Sequence, residues 1–314
     1  MPKQILPPAI FLMGPTASGK TALSVQLARA LGGEIISVDS ALVFKGMDIG
    51  TAKPTLEERG GVPHHLMDIL DPSESFSTGQ FRTRALALME AISQRGKIPV
   101  LTGGTMLYFN ALLNGLAVLP AANPAIRARL DQDLERLGKE ALHQRLAAID
   151  PQAAARIHPN DPQRIQRALE VYEISGKPLS SFFDDAQDEA LPYQTIKLVI
   201  APPDRKILHD IIARRFTAML KQGLVAEVEA LYRRGDLNEK MPAIRAVGYR
   251  QIWAYLQGED GYDAMTEKAV IATRQLAKRQ FTWLRRETDA FSFQTGQADL
   301  TARALAEIER AIAR

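Results

Sequence analysis

Gly14-Pro15-Thr16-Ala17-Ser18-Gly19-Lys20-Thr21 is the stretch whose reading decides the fold. It matches G-x4-G-K-[ST], follows the apolar run Ala9–Met13 and opens the helical run Ala22–Leu31. Glycines in such a loop let backbone N–H groups turn inward around phosphate oxygens, and the helix N-terminus behind them adds positive potential. Lys20 supplies a mobile point charge for the terminal phosphate, and the Thr21 hydroxyl is of the kind that ligates magnesium. The predicted phosphate-binding residues are Gly14, Thr16, Ala17, Ser18, Gly19, Lys20 and Thr21, with Thr21 the metal ligand. The loop asks for a diphosphate or a triphosphate, not for ATP hydrolysis. The nearest match to a conventional Walker B strand, Glu34–Asp39, follows directly on the first helix, and Ile98–Leu101 ends in Thr-Gly-Gly instead of an acid, so a standard ATPase fits less well.

Outward from the loop, short apolar runs alternate with helical stretches through the first 115 or so residues, the pattern of βαβ units and a parallel sheet. Strands are predicted at Ala9–Met13, Glu34–Val38, Ile98–Leu101 and Ile196–Ile200. The first three end in Gly14–Gly19, Asp39-Ser40 and Thr102-Gly-Gly-Thr105, loops that should share one site beyond the carboxyl ends of the strands. The predicted fold class is α/β, a P-loop NTPase-like parallel sheet flanked by helices with a helical insertion. Residues 1–116 and 191–314 form the core with basic C-terminal helices. Residues 117–190 form the insertion, cut into short helices by Pro120, Pro124, Pro151, Pro159 and Pro162.

A formal charge of +3 permits a polyanionic partner without demanding one, although the pI is about 9.0. The absence of cysteine excludes disulfides, a thiolate nucleophile and zinc–cysteine modules, and a reducing cytoplasm is expected. The N-terminal apolar run is too short to span a bilayer, so no membrane contact is expected. Nothing points to an obligate protein partner, and a monomer is expected.

Asp39 stands at a strand end beside the loop, where a carboxylate can hold magnesium through water or accept a proton; it can also cap a turn. Thr105 can hydrogen-bond a substrate or cap the next helix. Asp161-Pro162 is an N-cap and N1 pair, and Gly176 a stop, for a helix whose apolar stripe is Ile165, Leu169 and Tyr172. Its run Gln163, Arg164, Ile165, Gln166, Arg167 offers contacts to phosphates and base edges, the alternative being a solvated face. Arg245, Tyr249 and Arg250 surround a glycine, a mix suited to phosphate contact and base stacking unless Tyr249 belongs to the core. Arg274, Lys278 and Arg285 share one helical face. His64 and His65 point apart and have no third ligand near them in sequence, so a metal site there is not expected.

Taken in order, Gly14–Thr21, Ile36-Ser-Val-Asp-Ser40, Val43–Lys53, Pro63-His-His-Leu66, Thr102-Gly-Gly-Thr105, Asp161–Val171, Gly223–Val228 and Ala243–Tyr249 closely resemble the bacterial tRNA dimethylallyltransferases. The resemblance covers nearly the whole chain, and no block departs from it. It implies transfer of a dimethylallyl group from dimethylallyl diphosphate to N6 of adenosine at tRNA position 37, with Mg2+ as cofactor. By the same resemblance the phosphate loop holds the donor's diphosphate, Asp39 takes the N6 proton and Thr105 lies near the bridging oxygen. It further sets Asp39, Ser40, Ala41, Leu42, Thr105 and Arg127 against the tRNA. The bottom-up chemistry agrees: an exocyclic adenine amine is a poor nucleophile that a proton-accepting carboxylate would help, and a stacked base must be flipped out to react. Two rivals remain at this stage, a small-molecule kinase using ATP and a non-catalytic RNA-binding NTPase.

Overall fold

The structure is a computed structural model that describes residues 6–184 and 190–313. By internal contacts it separates into two compact units, one of Met1–Leu112 with Pro192–Arg314, the other of Leu113–Leu191.

The first unit is built on a parallel sheet. In chain order its opening half runs β1 (Pro8–Met13), α1 (Lys20–Ala30), β2 (Glu34–Val38), β3 (His64–His65), α2 (Thr78–Gln94), β4 (Pro99–Gly103) and α3 (Met106–Asn114). The six strands lie in the order β3-β2-β4-β1-β5-β6, every pair parallel, with β5 at Gln194–Ala201 and β6 at Phe291–Gln294. This is the expected fold class. β1 and β2 are buried almost along their whole length because helices cover both faces, as their unbroken apolar runs require. Ile10, Leu12, Ile35, Val100 and Leu198 pack with Leu23 and Leu27 of α1 on one face. Phe11 turns to the other face and meets Phe109 of α3, ring centroids 5.6 Å apart.

The second unit is helical: α4 (Pro124–Ile149), α5 (Pro151–Arg156), α6 (Pro162–Ser175) and α7 (Ser181–Asp184). Three of the prolines open helices behind caps that accept backbone N–H groups, Asn123, Asp150 and Asp161. α6 ends at Gly176 with φ 69°. Gly138, at φ 81° and ψ 167°, breaks α4 into two segments. Leu130, Leu142, Leu146, Ile165 and Leu169 are its core.

After β5 the chain returns to the first unit with α8 (Arg205–Lys221), α9 (Leu224–Tyr232), α10 (Tyr249–Leu256) and α11 (Tyr262–Leu284), followed by β6 and α12 (Leu300–Ile312). Ala304 and Ile308 of α12 join the sheet's core, so the C-terminal helix packs back on the sheet. Phe216, Val228, Trp253 and Met265 tie α8 to α11 in a core of their own with Val43, Phe44 and Met47 from the segment after β2.

Candidate active site and nucleic-acid surface

β1, β2 and β4 are neighbours, so the loops at their carboxyl ends meet at one edge of the sheet. The phosphate loop turns directly into α1, whose N-cap Gly19 has φ 87°. Ala17 also takes positive φ, 63°, a conformation an alanine holds only when its surroundings impose it. Two distant side chains brace the loop: Thr295 donates to Ser18 O (2.8 Å) and Gln280 accepts Thr16 N–H (2.8 Å). The Lys20 ammonium folds into the loop and donates to Pro15 O (2.6 Å) and Ser18 Oγ (3.5 Å). Burial lowers its pKa to about 7, opposed by the charge of Asp39 and aided by that of Arg215. Thr21, at the second position of α1, is exposed.

Asp39 caps a turn: its Oδ1 accepts Ala41 N–H (2.8 Å) and Leu42 N–H (3.4 Å). Oδ2 has no hydrogen bond among the described residues, so one oxygen of the carboxylate anchors the turn. Thr105 joins this turn to the end of β4, with its N–H on Val38 O (3.2 Å) and its Oγ1 accepting Ser40 N–H (3.1 Å). Arg215 of α8 reaches the same field; burial lowers its pKa, and Asp39 offsets part of that loss. Tyr108, buried in α3, is pushed up to about 12 by burial and by Asp39. Asp39, Lys20 and Arg215 thus share one electrostatic field beside the phosphate loop, whose Thr16 N–H is already taken by Gln280.

α8 and α11 line a half-open cavity of about 270 Å³ whose walls include Leu208, Phe281, Arg205, His209, Arg274 and Lys278. The cluster of Leu208, Ile212 and Ala277 that joins the two helices also packs on Ala17 of the loop. In the helical unit Arg127 makes a bidentate pair with Glu170 (2.9 and 3.2 Å), and Arg167 donates to the same carboxylate (2.6 Å) and to Pro120 O (2.7 Å). Burial alone would raise the Glu170 pKa, but these ion pairs and the Asn123 N–H outweigh it and hold it down.

A sequence model of the IPP transferases matches residues 42–287. The chain belongs to the IPP transferase family. It is 60% identical to the tRNA dimethylallyltransferase of Methylococcus capsulatus over 96% of its own length and 97% of the relative's. Among solved structures it is similar to a full-length tRNA isopentenylpyrophosphate transferase of Bacillus halodurans, with TM-score 0.69, 38% identity and 97% of both chains covered. It is also similar to a eukaryotic dimethylallyltransferase acting on tRNA, with TM-score 0.81 and 30% identity, covering 96% of this chain and 77% of that one.

In this IPP transferase two expected tRNA-contacting side chains lie elsewhere. Tyr249 is fully buried; its ring packs on Gly50, where a Cβ would come within 2.5 Å, and its hydroxyl donates to Glu227. Glu227 also accepts the N–H groups of Asp48, Ile49 and Gly50, so Tyr249 helps anchor the segment after β2 and cannot stack on a base. Ile165 is fully buried as well, in the core of the helical unit, because it lies on the inward stripe of α6. Its neighbours Gln163 and Arg164 are exposed, while Gln166 donates to Arg127 O (3.2 Å) and Asp131 (2.7 Å). Arg245, Arg250, Lys278 and Arg285 are exposed, and Arg274 is half-buried. His64 and His65 form β3, with His65 bonded to Glu34 (2.7 Å). Sequence reasoning missed Arg215, Gln280, Thr295 and Glu227. Each sits in an ordinary helical or polar run, and its role depends on a partner far away in the chain.

Proposed function

We propose that the protein transfers a dimethylallyl group from dimethylallyl diphosphate to N6 of adenosine 37 in tRNA, releasing diphosphate. The observation that carries this reading is the meeting, at one sheet edge, of the phosphate loop with an acid whose second oxygen is open, Asp39, flanked by Lys20 and Arg215. The family relationship and the relatives' stated action on tRNA support it.

The chemistry follows from those parts. Backbone N–H groups of the loop, Lys20 and Arg215 take the diphosphate and stabilise the charge it gathers as it leaves. The bond from the prenyl C1 to the bridging oxygen breaks, the bond from C1 to N6 forms, and the N6 proton passes to Asp39 Oδ2. Thr105, bonded to the Asp39 turn, keeps that carboxylate and the end of β4 in register beside the leaving oxygen. The target base leaves the anticodon-loop stack to reach this edge. The Thr21 hydroxyl is a hard oxygen donor of the type magnesium takes, and diphosphate oxygens and water complete such a shell. No trio of His, Cys, Asp or Glu gathers among the described residues, and the Thr21 hydroxyl would hold the ion together with the donor. When bound, that ion neutralises leaving-group charge. The basic rim of Arg205, His209, Arg274 and Lys278 suits the tRNA backbone, as do Arg164 and the outer edges of Arg127 and Arg167. No described helix is long and apolar enough to cross a membrane. The protein's place of action would be the cytoplasm, where tRNA is found.

The test supplies labelled dimethylallyl diphosphate or labelled ATP, with magnesium, to the enzyme and unmodified tRNA. Prenyl label should enter tRNA, and Asp39→Asn should lower turnover by about 10²–10⁴-fold with folding intact. Phosphate transfer from ATP without prenyl transfer would sink the reading, and a near-normal Asp39→Asn rate would remove Asp39 from its role.

A further inference from the structure

We propose that Gln280 is a positioning residue that fixes the distance between the donor-binding loop and the loop carrying Thr105. The inference rests on the donor reading above. Gln280 sits on α11 and is 7% exposed, yet it is neither a charge nor a ligand to anything on its own helix. Its Oε1 accepts Thr16 N–H of the phosphate loop (2.8 Å), and its Nε2 donates to Gly104 O at the end of β4 (2.9 Å). One side-chain amide therefore bridges the two loops that must present donor and acceptor to each other.

Two features show that the bridge is specific. The partners are an N–H and a C=O, so the amide can take only one orientation; a flip would set donor against donor and acceptor against acceptor. Position 104 is glycine, and a Cβ there would lie 2.3 Å from Gln280 Nε2. Gly104 thus leaves the room that the amide fills. The consequence is kinetic. Transfer needs the prenyl C1 and N6 in near-attack contact, and a displacement of about 1 Å in such a geometry costs on the order of 10²-fold in rate. α11 also carries Arg274 and Lys278, which line the cavity between α8 and α11.

Gln280→Glu keeps the shape and the acceptor for Thr16 but, when ionised, turns a second acceptor toward Gly104 O. Protonated, it regains a donor there, and burial raises the pH at which this happens. In single-turnover assays with tRNA, Gln280→Glu should be on the order of 10²-fold slower than wild type near pH 8. The ratio of variant to wild type should climb toward one as pH falls to about 5.5, as a buried glutamic acid gains its proton. Lys20 and the other titrating groups of the site act in both proteins, so the ratio isolates position 280. Donor affinity measured without tRNA should shift by only a few fold. A purely structural role predicts lower thermal stability with a flat rate ratio, and that outcome overturns the proposal. Gly104→Ala, which displaces the amide, should slow transfer comparably, and the double variant should be no slower than the worse single one; additive losses would also overturn it. Failure of the wild-type protein to pass prenyl label to tRNA would instead strike the donor reading.

Discussion

Lys20 carries the sharpest prediction at the level of a single residue. Its ammonium is desolvated within its own loop, and its pKa falls to about 7 despite the attraction of Asp39. Above pH 7 the free protein therefore loses the charge that a diphosphate needs, and donor binding must restore it by taking up a proton. Calorimetry in two buffers of different ionisation enthalpy should show an uptake near pH 8 that vanishes near pH 6. Lys20→Ala should remove the uptake at pH 8 and weaken donor binding; unchanged uptake would assign the proton to another group. The positions of Lys20 and Asp39 were legible in sequence, because the G-x4-G-K-[ST] pattern sets the first and the end of an apolar run sets the second. Arg215 was not, because one more arginine in a basic helix carries no signal until the fold brings it to Asp39. Tyr249 was misread for a related reason: beside Gly248 and Arg250 it has the composition of a stacking site, while its real partners, Gly50 and Glu227, lie far away in the chain.

At the scale of elements, the edge of the sheet is held by one acid. Glu34 opens β2 and is buried, with His65 of β3 at 2.7 Å, Arg95 at 2.8 Å and Lys97 at 3.0 Å. Burial would raise its pKa, but these three partners outweigh it and lower the value to about 2. A depressed carboxylate stabilises the fold above its unfolded pKa, about 4.5, and loses that contribution as pH falls through about 2. Glu34→Gln should cost about 1.5–3 kcal/mol near pH 7, the worth of hydrogen bonds to a charged group. Denaturant unfolding should show the gap between variant and wild type narrowing steadily from about pH 4.5 toward pH 2; a gap that stays constant would mean that packing, not charge, is at stake. The same edge explains which elements were readable. β1, β2, β4 and β5 announce themselves as apolar runs, whereas β3 is only His64-His65 and exists through pairing with Ile35 and Ile36. β6, Phe291–Gln294, is as short and is fixed by β5.

Charge settles how the whole molecule would meet a polyanion. A formal charge of +3 hides an uneven distribution: Arg127 and Arg167 are spent on the buried carboxylate of Glu170, while Arg205, Arg274 and Lys278 line one groove. Both units carry basic side chains on exposed helix faces, Arg164 on α6 of the helical unit and Lys278 on α11 of the sheet unit. Among the described residues Arg164 is paired only with its own cap, Asp161, at 3.3 Å, a surface contact of little worth that a phosphate can displace. If both units bind tRNA phosphates, Arg164→Ala and Lys278→Ala should each weaken tRNA binding and each flatten the plot of log affinity against log salt by about 0.7–0.9. The double variant should lose both contributions, because the two side chains share no partner and their effects should add. Filter binding of unmodified tRNA between about 50 and 200 mM salt gives the slopes. A slope that responds to Lys278 but not to Arg164 would confine phosphate contact to the sheet unit. The helical unit would then owe its arginine pairs on Glu170 to its own stability and not to tRNA.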